Sequence, residues 1–177
     1  MFELTIGIIG RISVGKSSIA KALSTATGIP VTSFGGYLVK YSKSNDLQVD
    51  RKSLQDLGEK FIEQDHKKFI ENVIKDVSAT GKIIIEGIRH SIILKDTRDV
   101  SKKSILVYID ASASTRYKRY RNRQKENDSI FSFDEFVEKD NHIVESEIES
   151  LKLLCDLIID SEELDINQTI EKILSCI

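Results

Sequence analysis

Gly10-Arg11-Ile12-Ser13-Val14-Gly15-Lys16-Ser17 stands between an apolar run, Leu4 to Ile9, and a helix-forming stretch from Lys16 to Thr27. It satisfies G-x-x-x-x-G-K-[ST] at every fixed position, and each fixed residue answers a chemical demand. The glycines let the backbone turn tightly with its N–H groups facing inward, Lys16 reaches outer phosphates, and the Ser17 hydroxyl can hold Mg2+. The positive end of the following helix, at Ser17 and Ser18, adds to the same anion site. A strand before the loop and a helix after it are the context in which the pattern binds nucleotide phosphates. Gly10, Arg11, Ile12, Ser13, Val14, Gly15, Lys16, Ser17 and Ser18 are therefore expected to line such a site.

Further runs rich in β-branched and apolar residues occur at Val31 to Phe34, Lys82 to Glu86, Ser104 to Ile109 and Asp156 to Ile159, each separated from the next by a helix-length stretch. That alternation predicts an α/β fold with a five-stranded parallel sheet. Two runs end in acids, Glu86 and Asp110, and ligands bind beyond the carboxyl ends of such strands. Both acids are thus expected at one crevice with the loops after Ile9 and Phe34. Between Phe34 and Lys82, apolar residues at Leu54, Leu57 and Phe61, then Phe69, Val73, Ile74 and Val77, follow a helical period and predict a side lobe of two or three helices. From Ser132 to Leu154 the pattern is again helical, with Ser132 and Glu135 as a capping box and a stripe running through Phe136, Val137, Ile143, Val144, Ile148, Leu151 and Leu154. A last helix is expected from Ile166 to Leu174.

The 177 residues predict one domain, with a helical insertion at about 35–80 and a short polar segment at about 124–132. Lys plus Arg number 26 against 28 Asp plus Glu, which argues against a surface devoted to nucleic acid. No run approaches a membrane span, and Glu3 interrupts the first apolar stretch, so neither a signal peptide nor membrane association is expected. Cys155 and Cys176 lack metal-ligand spacing and read as reduced thiols of a cytoplasmic protein. The oligomeric state is open at this level.

No N-K-x-D segment of the guanine-specific switch proteins is present. The chain instead resembles, in four segments in order, the P-loop nucleoside-monophosphate-kinase-like family, which includes adenylate, cytidylate and dephospho-CoA kinases. The first segment is the loop at Gly10 to Ser17. The second, Ser33-Phe34-Gly35-Gly36-Tyr37-Leu38, is similar to the family's S-x-G-x-x-L, although Val39 and Lys40 stand where adenylate kinases usually carry arginine. The third, Glu86-Gly87-Ile88-Arg89, is similar to D-G-x-R with glutamate for aspartate. The fourth is the basic run Arg116 to Arg123. The resemblance implies a three-layer P-loop NTPase fold with a helical acceptor-binding lobe and a short lid, using ATP and Mg2+. It implies Ser17 and Glu86 at the metal. For the acceptor nucleotide it implies Ser33, Gly35, Tyr37 and Arg89, with Arg51 either supplying the missing cation or standing as a solvated helix residue. It also implies that Arg116 stacks on adenine while Lys16, Arg119 and Arg123 act on the transferring phosphoryl group.

On a helix, Arg116, Arg119 and Arg123 fall within an arc of about 60°. Like charges so placed call for an anion against them. Lys118, Arg121 and Lys125 point elsewhere, and a solvated basic helix or an RNA-facing patch is the competing reading. The expected lid carries no Cys or His cluster, which excludes a zinc-stapled one. No acid lies between Thr32 and Asp46, where hydroxyl kinases of the dephospho-CoA and shikimate types place an aspartate. That favours an acceptor that already presents an anionic oxygen. The expectation is a nucleoside or deoxynucleoside monophosphate kinase. A small-molecule hydroxyl kinase and a nucleotide-binding regulatory module that transfers nothing are the alternatives.

Overall fold

Alternation within the apolar runs decides which side of a sheet each residue faces. In the computed structural model, which describes residues 1–123, 132–140 and 143–177, the runs become β1 (Phe2–Ile9), β2 (Val31–Ser33), β3 (Lys82–Glu86), β4 (Ser101–Asp110) and β5 (Leu157–Asp160). All are parallel, in the order β2-β3-β1-β4-β5. β1 and β4 begin earlier than their apolar runs because they pair there, Phe2 opposite Ser101.

One face of the sheet carries Ile9, Ile83, Ile85, Leu106 and Tyr108. It is covered by α2 (Phe34–Ser44), α3 (Arg51–Ile74), α4 (Ser91–Asp99) and α7 (Ile143–Leu151) through Phe34, Phe69, Val73, Leu94, Ile148 and Leu151. The other face carries Leu4, Ile6, Ile8, Ile84, Ile105, Val107 and Ile109 beneath α1 (Lys16–Thr27) and α8 (Ile166–Leu174). The fold is therefore the expected three-layer α/β arrangement. Each buried Ile or Leu contributes about 1.5–3 kcal/mol, so a one-residue slip, which would exchange the two faces, is strongly disfavoured. From central β1 the chain builds β2 and β3 on one side and β4 and β5 on the other. The loop after β1 thus lies where the connections diverge, the position at which open parallel sheets bind ligands.

The helical lobe is α2, α3 and a 3-10 turn at Lys75–Thr80. Continuous on paper, α3 is two segments: Asp65 leaves helical geometry (φ −167°, ψ 90°) and its Oδ1 accepts from Lys68 N at 2.9 Å, capping the second segment. The Ser132–Glu135 capping box is present, with Glu135 N to Ser132 Oγ at 3.2 Å and Ser132 N to Glu135 Oε2 at 2.7 Å. The expected stripe beyond it falls on α6 (Phe133–Asp140) and α7, with 141–142 outside the described residues, and Leu154 falls in a 3-10 turn, exposed rather than buried. Of the expected lid, 124–131 lies outside the described residues. Both cysteines are free, and burial pushes the Cys155 thiol up to about 12. No helix among the described residues is long and apolar enough to cross a membrane.

Candidate active site

The loop after β1 turns at Gly10, whose φ of +146° and close approach admit no side chain: a Cβ there would stand 2.4 Å from the Ile109 carbonyl oxygen. Gly15 then caps α1. Lys16 Nζ is drawn back over the loop, donating to the carbonyls of Gly10 at 2.7 Å and Arg11 at 2.8 Å. A polyphosphate competes for this ammonium with neutral carbonyls, a contest that charge decides in its favour.

Parallel pairing places Glu86 beside Ile8, at the end of the strand next to β1. There its carboxylate accepts from Ser17 Oγ, at 3.0 Å to Oε1 and 3.1 Å to Oε2. A hydroxyl and a carboxylate are hard oxygen donors, and Mg2+ takes one or two carboxylates together with phosphate oxygens and waters. Ser17 and Glu86 therefore fit the ion. The other strand-end acid has partners of its own: Asp110 Oδ2 accepts from Lys152 Nζ at 2.5 Å and Oδ1 from Ala111 N at 3.0 Å. A nearby cation and a backbone donor claimed it first.

The basic run forms α5 (Ala113–Arg123), whose start is held by Ser112 and by Glu162. Hydrogen bonds from Thr115 and then from Ser112 hold the Glu162 carboxyl down at about 2. The anion that faces Arg116 is within the protein. Arg116, 3% exposed, makes a bidentate pair with Asp140 (Nη1 to Oδ1 2.5 Å, Nη2 to Oδ2 2.7 Å) and donates Nε to the Ala111 carbonyl at 3.1 Å. The Phe136 ring lies 5.9 Å from its guanidinium carbon. Arg116 thus presents no open plane to an adenine, contrary to the expectation. Arg119 donates to Val14 O at 2.9 Å, Ser161 Oγ at 2.8 Å and Ser161 O at 2.8 Å. It grips the back of the phosphate loop. Because a peptide is planar and trans, a Val14 carbonyl turned to Arg119 turns the Gly15 N–H the opposite way, away from α5 and toward the loop's interior. Arg123 ends α5, and its side chain lies outside what the structure describes.

At the end of β2, Ser33 caps α2 by accepting from Gly36 N at 2.9 Å. The glycine this contact requires is Gly36, where a Cβ would stand 2.6 Å from Ser33 Oγ, while at Gly35 it would meet nothing within 4 Å. Gly35 is open, as contact with a ligand there requires. The Gly87 turn lies against this corner, its Cβ position 3.9 Å from the backbone nitrogens of Phe34 and Gly35. The turn that leads on to Arg89 therefore passes the start of α2. Tyr37 packs among Tyr41, Phe61 and Phe69 with ring centroids 5.8–6.2 Å away, and burial raises its pKa. Arg51 opens α3 at the end of the lobe where Ser53 meets Gln48 beyond the end of α2, and α2 spans about 16 Å at 1.5 Å per residue.

Sequence reasoning missed Asp140, Ser161 and the α7 acids. Glu149 Oε2 accepts from Tyr108 OH at 3.0 Å and lies 4.0 Å from Arg11, while Glu147 pairs with His90 Nδ1 at 2.9 Å. Their only signal was the acidity of the stretch beyond the basic helix.

A parallel sheet of this order, with a Gly-Lys-Ser loop after its central strand facing an acid at the end of the neighbouring one, defines a P-loop protein of small-molecule-kinase-like fold. Residues 6–148 match the family model described as an AAA domain, and the chain belongs to that family. It is 28% identical over 168 residues to UPF0200 protein MJ1399 of Methanocaldococcus jannaschii, covering 90% of this chain and 82% of that protein. Among solved structures it is similar to TT1252 from Thermus thermophilus (TM-score 0.64, 19% identity, 99% of this chain and 98% of that one). It is also similar to shikimate kinase from Bacteroides thetaiotaomicron (TM-score 0.60, 14% identity, 98% and 97%). These two likenesses concern the fold.

Proposed function

We propose that the protein transfers the terminal phosphoryl group of ATP, with Mg2+, to a nucleoside or deoxynucleoside monophosphate. The observation that carries this reading is the contact of Ser17 Oγ with Glu86 at the head of the phosphate loop, beside Lys16. Mg2+ held by Ser17 and Glu86 would neutralise phosphate charge. Lys16 exchanges its loop carbonyls for phosphate oxygens, and the inward N–H groups take up the remaining charge. Arg119 contributes by bracing the loop from behind, and Arg123 stays the candidate for the phosphoryl group itself. At the acceptor corner, the first turn of α2 and Arg89 offer a helix N-terminus and a guanidinium fork to a second anion. An acceptor phosphate fits that pair and needs no base.

A hydroxyl acceptor is the second reading. It is favoured by His90, beside Arg89, whose Nδ1 is 2.9 Å from Glu147. A carboxylate on one ring nitrogen orients the other as a proton acceptor. ADP release measured with ATP and Mg2+ against nucleoside monophosphates, deoxynucleoside monophosphates and hydroxyl acceptors separates the readings. Turnover only on monophosphates supports the first and turnover only on hydroxyl compounds the second. Nucleotide binding with no turnover on any acceptor points to a regulatory module.

A further inference from the structure

Asp140 is 2% exposed and its carboxylate faces two guanidiniums. Both its oxygens are taken by Arg116, Arg11 Nη1 stands 3.5 Å from Oδ2, and the Asp140 carbonyl accepts from Arg11 Nη2 at 2.7 Å. These partners come from three elements. Asp140 lies in α6, Arg116 in the first turn of α5, and Arg11 in the phosphate loop. A cation in a first turn opposes the helix dipole, so Arg116 is not explained by the stability of α5. The cluster's reach into the loop supplies an explanation. Arg116 Nη1 also approaches the Ile12 carbonyl at 3.5 Å, and Arg119, one turn on, holds that of Val14 at 2.9 Å. Carbonyls turned outward to α5 turn the N–H groups of Ser13 and Gly15 away from it.

We propose that Asp140 is a positioning residue for the nucleotide's phosphates: by fixing Arg116 and Arg11 it sets the outer wall of the phosphate loop and the direction of its N–H donors. The proposal rests on reading that loop as a nucleotide site. It concerns binding, so its test needs no acceptor. Asp140→Asn leaves Arg116 without a full counter-charge and can unfold the chain. The decisive variant is therefore R116M/D140M, since apolar replacement of both members of a buried pair is commonly tolerated. Titration of the ATP analogue AMP-PNP with Mg2+ by calorimetry, below the melting temperature of each protein, reads both Kd and the fraction of competent sites. For R116M/D140M the expected result is a Kd raised at least 10-fold with the wild-type site fraction, and Asp140→Glu should recover part of the loss. An unchanged Kd, with or without a reduced site fraction, assigns the pair a purely structural role and overturns the proposal while leaving the nucleotide site standing. Failure of the wild type to bind overturns both.

Discussion

In the proposed reaction Lys16, Ser17 and Glu86 share the work at the phosphate loop, and Lys16 and Glu86 each have a signature. Lys16 donates to the two loop carbonyls of Gly10 and Arg11. Lys16→Ala should lower phosphoryl transfer by on the order of 100-fold or more, as loss of one charge-stabilising donor does elsewhere, while the fold, read by circular dichroism, stays intact. Glu86→Gln keeps the shape and a hydrogen-bond acceptor for Ser17 but removes the charge. A Mg2+ titration of turnover should then need about 10–100-fold more metal for half-maximal rate. These residues were legible in the sequence because the chemistry requires fixed types at fixed spacing. Arg116 was legible only as a charge. Its anion, Asp140, is 24 positions away, across a separation that no helical or strand period spans, so the arc of arginines pointed to a ligand where the protein had supplied its own carboxylate.

At the scale of elements, the turn from β1 into the loop depends on Gly10. Gly10→Ala forces a strained backbone and a 2.4 Å contact with the Ile109 carbonyl, which should cost roughly 2–4 kcal/mol in urea unfolding. The break in α3 depends on Asp65, and Asp65→Ala should cost about 0.5–2 kcal/mol through loss of the internal cap. The α5 start carries an acid-sensitive device. Glu162 has a folded-state pKa of about 2 against an ordinary 4.5, so its contribution is complete above about 4.5 and is lost as pH falls toward 2. Melting curves of Glu162→Gln and wild type should differ at neutral pH and converge across that window. Local signals mark such elements well: Ser132 with Glu135, the strand runs, and the apolar period on either side of Asp65 could all be read along the chain. The pairing of Asp110 with Lys152 could not, because its partner is 42 positions away.

Across the whole molecule, parallel pairing gathers the working residues at one end of the sheet. The near-balance of 26 basic and 28 acidic residues conceals a basic α5 in which Arg116 is paired with Asp140 and Arg119 is bound to the loop. One parallel sheet was readable from the alternating runs, whereas the order of its strands and the partners of Arg116 and Arg119 emerged only from the structure. The central claim, that this end of the sheet moves a phosphoryl group from ATP to a nucleoside monophosphate, is tested most directly by ADP release across a panel of monophosphates with Lys16→Ala as control. The expected result is Mg2+-dependent turnover on at least one nucleoside or deoxynucleoside monophosphate, lost in Lys16→Ala. No turnover on any monophosphate, or equal turnover by the Lys16→Ala protein, would contradict it.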